Sequence, residues 1–359
     1  MRKLNKKALK TYFFIFVMLL SFFVFLTACS KNKTVETMSN VRNDLEVHFM
    51  DVGQADAIFI KKGQNTMLID AGNNEDADWV VNYLKNQGIK KIDYVIGTHP
   101  HEDHIGGLDA VINSFDIGKV YMPKVTHTSK TFKDVIHAVK NKGLKISNPV
   151  VGSKIALGDA KGVILAPNSD KYKDYNNYSI VLKLTYGNTS FLFTGDAEGL
   201  SEKEMIDKGL NLSADVLKVG HHGSNSSTTL SFLNKVNPEY AVIMTGTDND
   251  YGHPHKETMD KLKNKGIIVY RTDQNGTIVA ISDGEHIKFN TNPGNYRIGR
   301  KSNTYVDEYG KGMIKGNINS KGERIYHMPD GAYYNKVKAE IWFKTEKEAK
   351  EAGFRKSKK

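Results

Sequence analysis

Three histidines and an aspartate fall within six residues at Thr98-His99-Pro100-His101-Glu102-Asp103-His104, directly after the apolar stretch Tyr94–Gly97. That stretch reads as a buried strand, so the cluster sits where a strand ends. Packing does not account for such density, because each buried imidazole needs a polar partner. Imidazole and carboxylate together suit zinc or a similar transition metal. At extended spacing His99, His101 and Asp103 project to the same side, and His104 with Asp103 can serve a second ion. Gly106-Gly107 then permit a tight backbone approach before the next helix. The alternative is a solvated histidine-rich loop.

The surrounding pattern is mixed. Val47–Met50, Ala57–Ile60 and Met67–Ile69 are short apolar runs set off by Gly and Asp, which reads as strands. Further strands are expected at Lys119–Met122, Val163–Ala166, Ile180–Tyr186, Ser190–Thr194, Val216–Val219, Tyr240–Met244, Ile267–Tyr270 and Thr277–Ile281. Helical spacing marks Trp79–Asn86, stopped by Gly88, and about 131–141, 198–208, 228–235 and 256–264. Many strands with helices between them predict an α/β domain of two sheets with helices outside.

The first residues need separate treatment. Arg2–Lys10 carries five positive charges and no acid, and Tyr12–Ala28 is apolar except for Ser21 and Thr27. Leu26-Thr27-Ala28-Cys29 follows, and Cys29 is the only cysteine, so no disulfide can form within the chain. The expectation is a lipoprotein signal over 1–29, with Cys29 lipidated and the rest of the chain held at the outer face of a cell membrane. The alternative is an uncleaved membrane helix. Residues 30–45 read as a flexible tether, 46–285 as the main domain, 286–305 as a linker and 306–359 as a small basic and aromatic module. The net charge of +11 is unevenly placed. Residues 291–359 hold 16 Lys/Arg against 8 Asp/Glu, whereas 30–290 hold 30 against 32. Nucleic-acid attraction read from a basic balance therefore applies to the tail alone.

His-x-His-x-Asp-His after a buried strand resembles the signature of the metallo-β-lactamase superfamily, an αβ/βα sandwich with a metal site at one edge. Leu68-Ile69-Asp70-Ala71-Gly72, Phe193-Thr194-Gly195-Asp196 and Gly220-His221-His222-Gly223-Ser224 resemble its other motifs in order. The resemblance implies that Asp70 supports the metal loop from behind, that Asp196 bridges two cations, and that His221 or His222 is the last ligand. It narrows to the hydrolase domain of ComEC, the DNA-uptake channel protein. Asp51-Val52-Gly53-Gln54-Ala55-Asp56-Ala57, Asn177-Tyr178-Ser179-Ile180, Leu217–Ser224, Tyr251-Gly252-His253-Pro254 and Arg271-Thr272-Asp273 carry it, over about residues 46–283. Ala55 stands where Gly is usual, and no polytopic membrane segments are present, so a stand-alone relative of that domain is expected.

The implied chemistry is metal-dependent phosphodiester hydrolysis, with DNA as the expected substrate and a water activated between two divalent ions, Zn or Mn. One ion is expected on His99, His101 and Asp196, the other on Asp103, His104, Asp196 and one of His221/His222. No histidine lies between His137 and His221, where many members have one. Asn177 is the candidate neutral oxygen ligand there, or else a turn residue. His253 is expected to protonate the leaving oxygen or bind phosphate, or else to be a loop residue beside His255. Other readings are a hydrolase of wall-polymer phosphodiesters, phosphorylcholine esters or β-lactams, and a non-catalytic nucleic-acid-binding protein. The absent middle histidine weighs against lactams.

The tail, with Met313–Gly322, Ile325–Pro329, Tyr333-Tyr334, a helix at about 345–352 and Gly353-Phe354-Arg355-Lys356, resembles a small module appended to some secreted bacterial nucleases. The match is approximate, because Trp342-Phe343-Lys344 stands where that module often has a Cys. Basic and aromatic residues interleaved suit phosphate contact and base stacking. The alternatives are a solvated cap or contact with anionic cell-wall polymers.

Overall fold

A computed structural model describes residues 43–299, 305, 311–329 and 331–357. The expected signal, Cys29 and the tether up to residue 42 lie outside the described residues, as does part of the linker. Among the described residues no helix is long and apolar enough to cross a membrane.

In the N-terminal half the strands are β1 (Leu45–Phe49), β2 (Ile58–Lys62), β3 (Asn65–Ile69), β4 (Lys91–Ile96), β5 (Asp116–Tyr121) and β6 (Ile146–Ser147). Between them run α1 (Ala77–Asn86), α2 (Glu102–Ile105), α3 (Leu108–Ser114) and α4 (Lys130–Asn141). Next come β7 (Lys154–Leu157), β8 (Ala160–Ala166), β9 (Val181–Tyr186), β10 (Thr189–Phe193), α5 (Gly199–Asp207), β11 (Val216–Lys218), α6 (Leu230–Val236) and β12 (Tyr240–Ile243). The main domain closes with α7 (Lys256–Asn264), β13 (Ile268–Arg271), α8 (Thr272–Asn275), β14 (Ile278–Ser282) and β15 (Ile287–Phe289). The first sheet runs β15-β14-β1-β2-β3-β4-β5-β6 and the second β13-β12-β11-β10-β9-β8-β7.

Period-two alternation decides what lies between the sheets. Val47, Phe49, Ile58, Ile60, Met67 and Ile69 of the first sheet meet Leu182, Leu184, Phe191, Phe193, Val216 and Val242 of the second in one buried cluster. The alternate residues face outward. Phe59 and Leu68 pack with Val80 and Leu84 of α1 and Val111 of α3, while Leu192 and Leu217 pack with Phe232 of α6 and Leu262 of α7. The layers are thus helix, sheet, sheet, helix, and the expected αβ/βα sandwich is observed. Truncating a fully buried ring such as Phe191 should cost about 3–5 kcal/mol.

β3, β4, β5 and β6 are parallel, and so are β10, β11, β12 and β13. Open parallel sheets place ligand sites beyond the carboxyl ends of their strands. Asp70 follows β3, His99 to His104 follow β4, Asp196 follows β10, and His221 and His222 follow β11. The loop after β4 is docked tightly. Ala71 N–H donates to the His104 carbonyl at 2.7 Å and Asp56 N–H to that of Asp103 at 3.0 Å. A Cβ at Gly106 would lie 2.2 Å from the Asn73 carbonyl carbon, so only glycine fits there.

The tail forms its own four-stranded sheet, β18-β16-β17-β19, from β16 (Ile314–Ile318), β17 (Arg324–His327), β18 (Ile341–Phe343) and β19 (Arg355–Lys356). With α9 (Glu346–Glu351) it encloses Ile314, Tyr326, Phe343, Ala349 and Phe354.

Candidate metal centre

The residues after β4 do not stay extended to Asp103, as the alternating spacing suggested. His101 has extended dihedrals and caps α2, so Asp103 and His104 lie on a helical turn. Backbone hydrogen bonds to the loops before β2 and after β3 favour that turn. It still turns both side chains toward the groups delivered by the second sheet.

Those groups converge on one carboxylate. Asp196 Oδ2 is 3.2 Å from His104 Nε2, 3.6 Å from His222 Nε2, 3.7 Å from His221 Nε2 and 4.0 Å from His99 Nε2. Asp103 Oδ2 lies 3.2 Å from His222 Nε2 and 3.8 Å from His104 Nε2. Ligand atoms of Asp103, His104, Asp196 and His222 fall within 4.8 Å of one another. His101 Nδ1 is 3.1 Å from His99 Nε2. Two atoms decide what this arrangement is suited to hold. His104 Nε2 and Asp196 Oδ1 are buried without a hydrogen-bond partner. Such groups cost free energy unless something pairs with them. The donor set, imidazole nitrogen and carboxylate oxygen, fits divalent transition metals.

The opposite ring nitrogens are held. Asp70 accepts from His104 Nδ1 at 2.8 Å, from Thr98 N–H at 2.8 Å and from Thr98 Oγ1 at 2.7 Å. His222 Nδ1 lies 3.0 Å from the Met244 carbonyl, and His221 Nδ1 3.1 Å from Ser226 Oγ. Ser179 Oγ accepts from Asp196 N–H at 3.0 Å and lies 3.4 Å from His99 Nδ1. Asp70, His221 and His222 sit in the left-handed region, with φ of 58°, 51° and 53°. Non-glycine residues there cost on the order of 1–3 kcal/mol each, and such strain clusters at functional sites.

Electrostatics follow the same map. Burial opposes charge on His222, but Asp196 and hydrogen bonds to Asp103 and Asp56 outweigh it and push its pKa up to about 10. Burial is likewise outweighed at His104, by Asp196, Asp103 and Asp70, which raise it well above the imidazole range. Protons on these two rings compensate the carboxylates. Burial and the His104 charge hold His99 well below its ordinary value.

Asn177 does not join the cluster. Its Oδ1 accepts from Ser201 N–H at 3.2 Å and its amide donates to Glu198 at 3.2 Å. The oxygen is committed to the start of α5, whose first N–H groups need acceptors. Its neighbour Asn176 lines the cleft instead, with a buried Oδ1 that has no partner.

His253 is at the site. Gly246 N–H can only donate, and it meets Gln54 Oε1 at 3.1 Å, so the Gln54 amide nitrogen is the atom 3.2 Å from His253 Nδ1. That nitrogen of His253 is then an acceptor, and the neutral ring carries its proton on Nε2. Burial, with His222, His221 and His255 next, pushes its pKa down to about 3. Sequence reasoning assigned no role to Gln54, Asn176 or Tyr251, nor to the buried ion pair of Asp56 with Lys218. Gln54, Asp56, Lys218 and Tyr251 lie in stretches that carried the family resemblance, which was the available signal.

The cleft over these groups has a volume of about 360 Å³. A larger cavity of about 520 Å³, lined by Met122, Lys124, Phe132 and Tyr178, holds none of the candidate metal-ligating groups, so chemistry rather than size picks the site.

The family model for the metallo-beta-lactamase superfamily matches residues 50–247. The chain belongs to the metallo-beta-lactamase superfamily. Within it, the chain is 33% identical over 251 residues to ComE operon protein 3 of Bacillus subtilis (strain 168), covering 65% of this chain and 32% of that protein. It is 29% identical over 238 residues to competence protein ComA of Neisseria gonorrhoeae, covering 66% of this chain and 32% of that one. The chain thus spans about a third of the length of these relatives, which are ComEC-like. Among solved structures, the metallo-beta-lactamase fold protein YhfI from Bacillus subtilis aligns at 12% identity with a TM-score of 0.44, covering 68% of this chain and 99% of that one. Residues 307–356 match a second family model, described as ArfC.

Proposed function

We propose that this superfamily member is a divalent-metal-dependent phosphodiesterase acting on nucleic acid, with DNA as its substrate. The observation that carries the reading is Asp196 Oδ2 within 4.0 Å of four imidazole nitrogens, beside buried atoms that lack partners. Competence proteins among the relatives support DNA as the substrate. His99, His101 and Asp196 would hold one cation. Asp103, His104, Asp196 and His222 would hold the other, with His221 flanking it. Bound there, Zn or Mn would polarise the phosphoryl group and acidify a water.

The chain's own residues do the rest. Asp70, Ser179 and the Met244 carbonyl hold the rings of His104, His99 and His222 so that each Nε2 faces Asp196. His253, neutral with its proton on Nε2, donates a hydrogen bond to a phosphoryl or leaving oxygen rather than acting as a cationic acid. We further propose Cys29 as a lipid anchor at the outer face of the membrane, and 46–285 and 306–359 as separate hydrolase and tail domains. The tail then serves nucleic-acid or cell-wall contact. Mass spectrometry of the native N-terminus tests the anchor: an intact Met1 would sink it.

The purified chain, loaded with Mn²⁺ or Zn²⁺, should be given DNA, a chromogenic phosphodiester and a chromogenic lactam. DNA and the diester should be cleaved. Asp196→Ala should lose nearly all activity and bound metal. A fully active, metal-replete variant, or hydrolysis of the lactam alone, refutes the reading.

A further inference from the structure

Ring contacts form a continuous series through the site. Tyr175 meets His101 at 6.0 Å between centroids, His101 meets His99 at 4.7 Å, and His99 meets His104 at 4.2 Å. His104 meets His222 at 5.3 Å, His222 meets His253 at 6.3 Å, and His253 meets Tyr251 at 5.5 Å. The proposed metal ligands occupy the middle of this series. Tyr251 flanks them on one side, and on the other Tyr175 leads on to His127 and Tyr178.

The two tyrosines are placed differently. Tyr251 lies nearly parallel to the His253 ring, at 19°, and is still 65% exposed. One face is taken by His253, and the other is open at the rim of the cleft. The loop that presents it is fixed by Asn249, itself buried. Asn249 Nδ2 donates to the carbonyls of Gly246 at 3.0 Å and His253 at 2.7 Å, and its Oδ1 accepts from the N–H groups of Tyr251 at 3.2 Å and His253 at 2.9 Å. A large ring with few rotatable bonds, presented by a braced loop, loses little conformational freedom when something flat lies on it. At the other end Tyr175 stands edge-on to His127, 4.8 Å away, and its hydroxyl donates to the Thr126 carbonyl at 3.4 Å.

We infer that Tyr251 and Tyr175 are base-stacking platforms on either side of the scissile phosphate, so that this cleft takes unpaired nucleic acid rather than a base-free phosphodiester. The inference rests on the phosphodiesterase reading above. Five imidazoles, His101, His99, His104, His222 and His253, stand between the two tyrosines in that series, so a chain with planar groups on both sides of a phosphate suits them better than a single small head group. Glycerol- or ribitol-phosphate polymers present nothing planar to either ring. In a duplex the faces of the bases are already covered, and exposing them costs free energy. Cationic ions at the phosphate combined with aromatic faces for the bases are the two parts of single-strand recognition.

The test compares a labelled oligothymidylate with a strand of equal length that lacks bases, on the full chain and its Tyr251→Ala, Tyr251→Phe and Tyr175→Ala variants. Binding is read by anisotropy with phosphorothioate-linked strands that resist hydrolysis. Cleavage is read as kcat and KM with phosphodiester strands. Tyr251→Ala should weaken binding of the thymidylate about tenfold, leave the base-free strand within about twofold, and be rescued by Tyr251→Phe. Tyr175→Ala should act in the same direction. Equal losses on both strands, duplex bound as well as single strand, or a phosphorylcholine diester as the Tyr251-dependent ligand would each overturn the inference. Cleavage without any base-dependent effect of Tyr251 defeats it while the phosphodiesterase reading stands. Base-dependent binding without cleavage supports it and defeats that reading.

Discussion

The ion pair of Lys218 with Asp56 gives the sharpest quantitative expectation. Both side chains are essentially excluded from water, at 0% and 1% exposure, and they touch across the two sheets. Removing one member leaves the other charged, buried and alone, at about 3–5 kcal/mol. Lys218→Met keeps the apolar stem and deletes the charge. Asp56 then retains only His222 Nδ1 at 3.4 Å and His104 Nδ1 at 3.8 Å. Both rings are cationic in the metal-free protein, so the cost should fall near the lower limit, about 3 kcal/mol. For a domain of this size that is about 6 °C in melting temperature. Asp56→Asn should cost a similar amount, because it strands the ammonium. The double variant Asp56→Asn/Lys218→Met carries no buried charge at this pair and should recover at least about 2 kcal/mol relative to the sum of the singles. Calorimetry and urea unfolding in EDTA at pH 7.5 provide the four corners of the cycle. Strict additivity would refute the reasoning, since it would mean the two charges do not compensate each other.

Three further outcomes are expected. The pKa of His222 is raised to about 10, above its unfolded value, so its proton stabilises the metal-free fold fully below about pH 6.5, and that contribution is lost as pH rises through 10. A cation must displace that proton and the one on His104, so loading near pH 7.5 should release up to about two protons and affinity should rise with pH. Titration calorimetry in buffers of different ionisation enthalpy measures the release, and a buffer-independent enthalpy contradicts it. Asp70→Asn removes the carboxylate that accepts from His104 and from Thr98, and should lower metal affinity about 10- to 100-fold. Unchanged affinity by competition with a chelating dye would remove Asp70 from the site's support. Gln54→Leu frees His253 Nδ1 to carry the proton, so kcat should fall about tenfold or more with metal content intact; an unaltered kcat means the tautomer does not matter.

Local chemistry was legible where a residue's neighbours in sequence are also its neighbours in space. The run from His99 to His104 announced a candidate metal-binding cluster, and alternation in Phe191-Leu192-Phe193 announced a strand between two apolar layers. What stayed hidden depends on partners far along the chain. Lys218 sits inside a short apolar strand, and its carboxylate partner arrives from the loop before β2. Asn176 and Asn177 are adjacent and chemically identical, yet the 3₁₀ turn over Tyr175–Tyr178 sends one oxygen to the cleft and the other to α5. No local pattern separates them, because each 3₁₀ residue rotates by about a third of a turn. The short strands β6, β7 and β15 went unread for a related reason, since edge pairing rather than their own composition makes them strands.

The same long-range dependence explains why the site is built as it is. His99, His101, Asp103 and His104 come from the first sheet, and Asp196, His221 and His222 from the second. Neither sheet holds a complete donor set, and the layer between them is built mainly of apolar side chains. Apolar contacts are non-directional and would tolerate a small slide of one sheet over the other. Polar pairs that cross the seam beside the site, Lys218 with Asp56 and His222 with Asp103, are directional and do not tolerate it. The buried charges therefore fix the register at which the two halves of the donor set meet. A chain of this fold that exchanged the Asp56–Lys218 pair for well-packed apolar residues could match or exceed its stability, and would lose the constraint that sets the distance from His104 to Asp196.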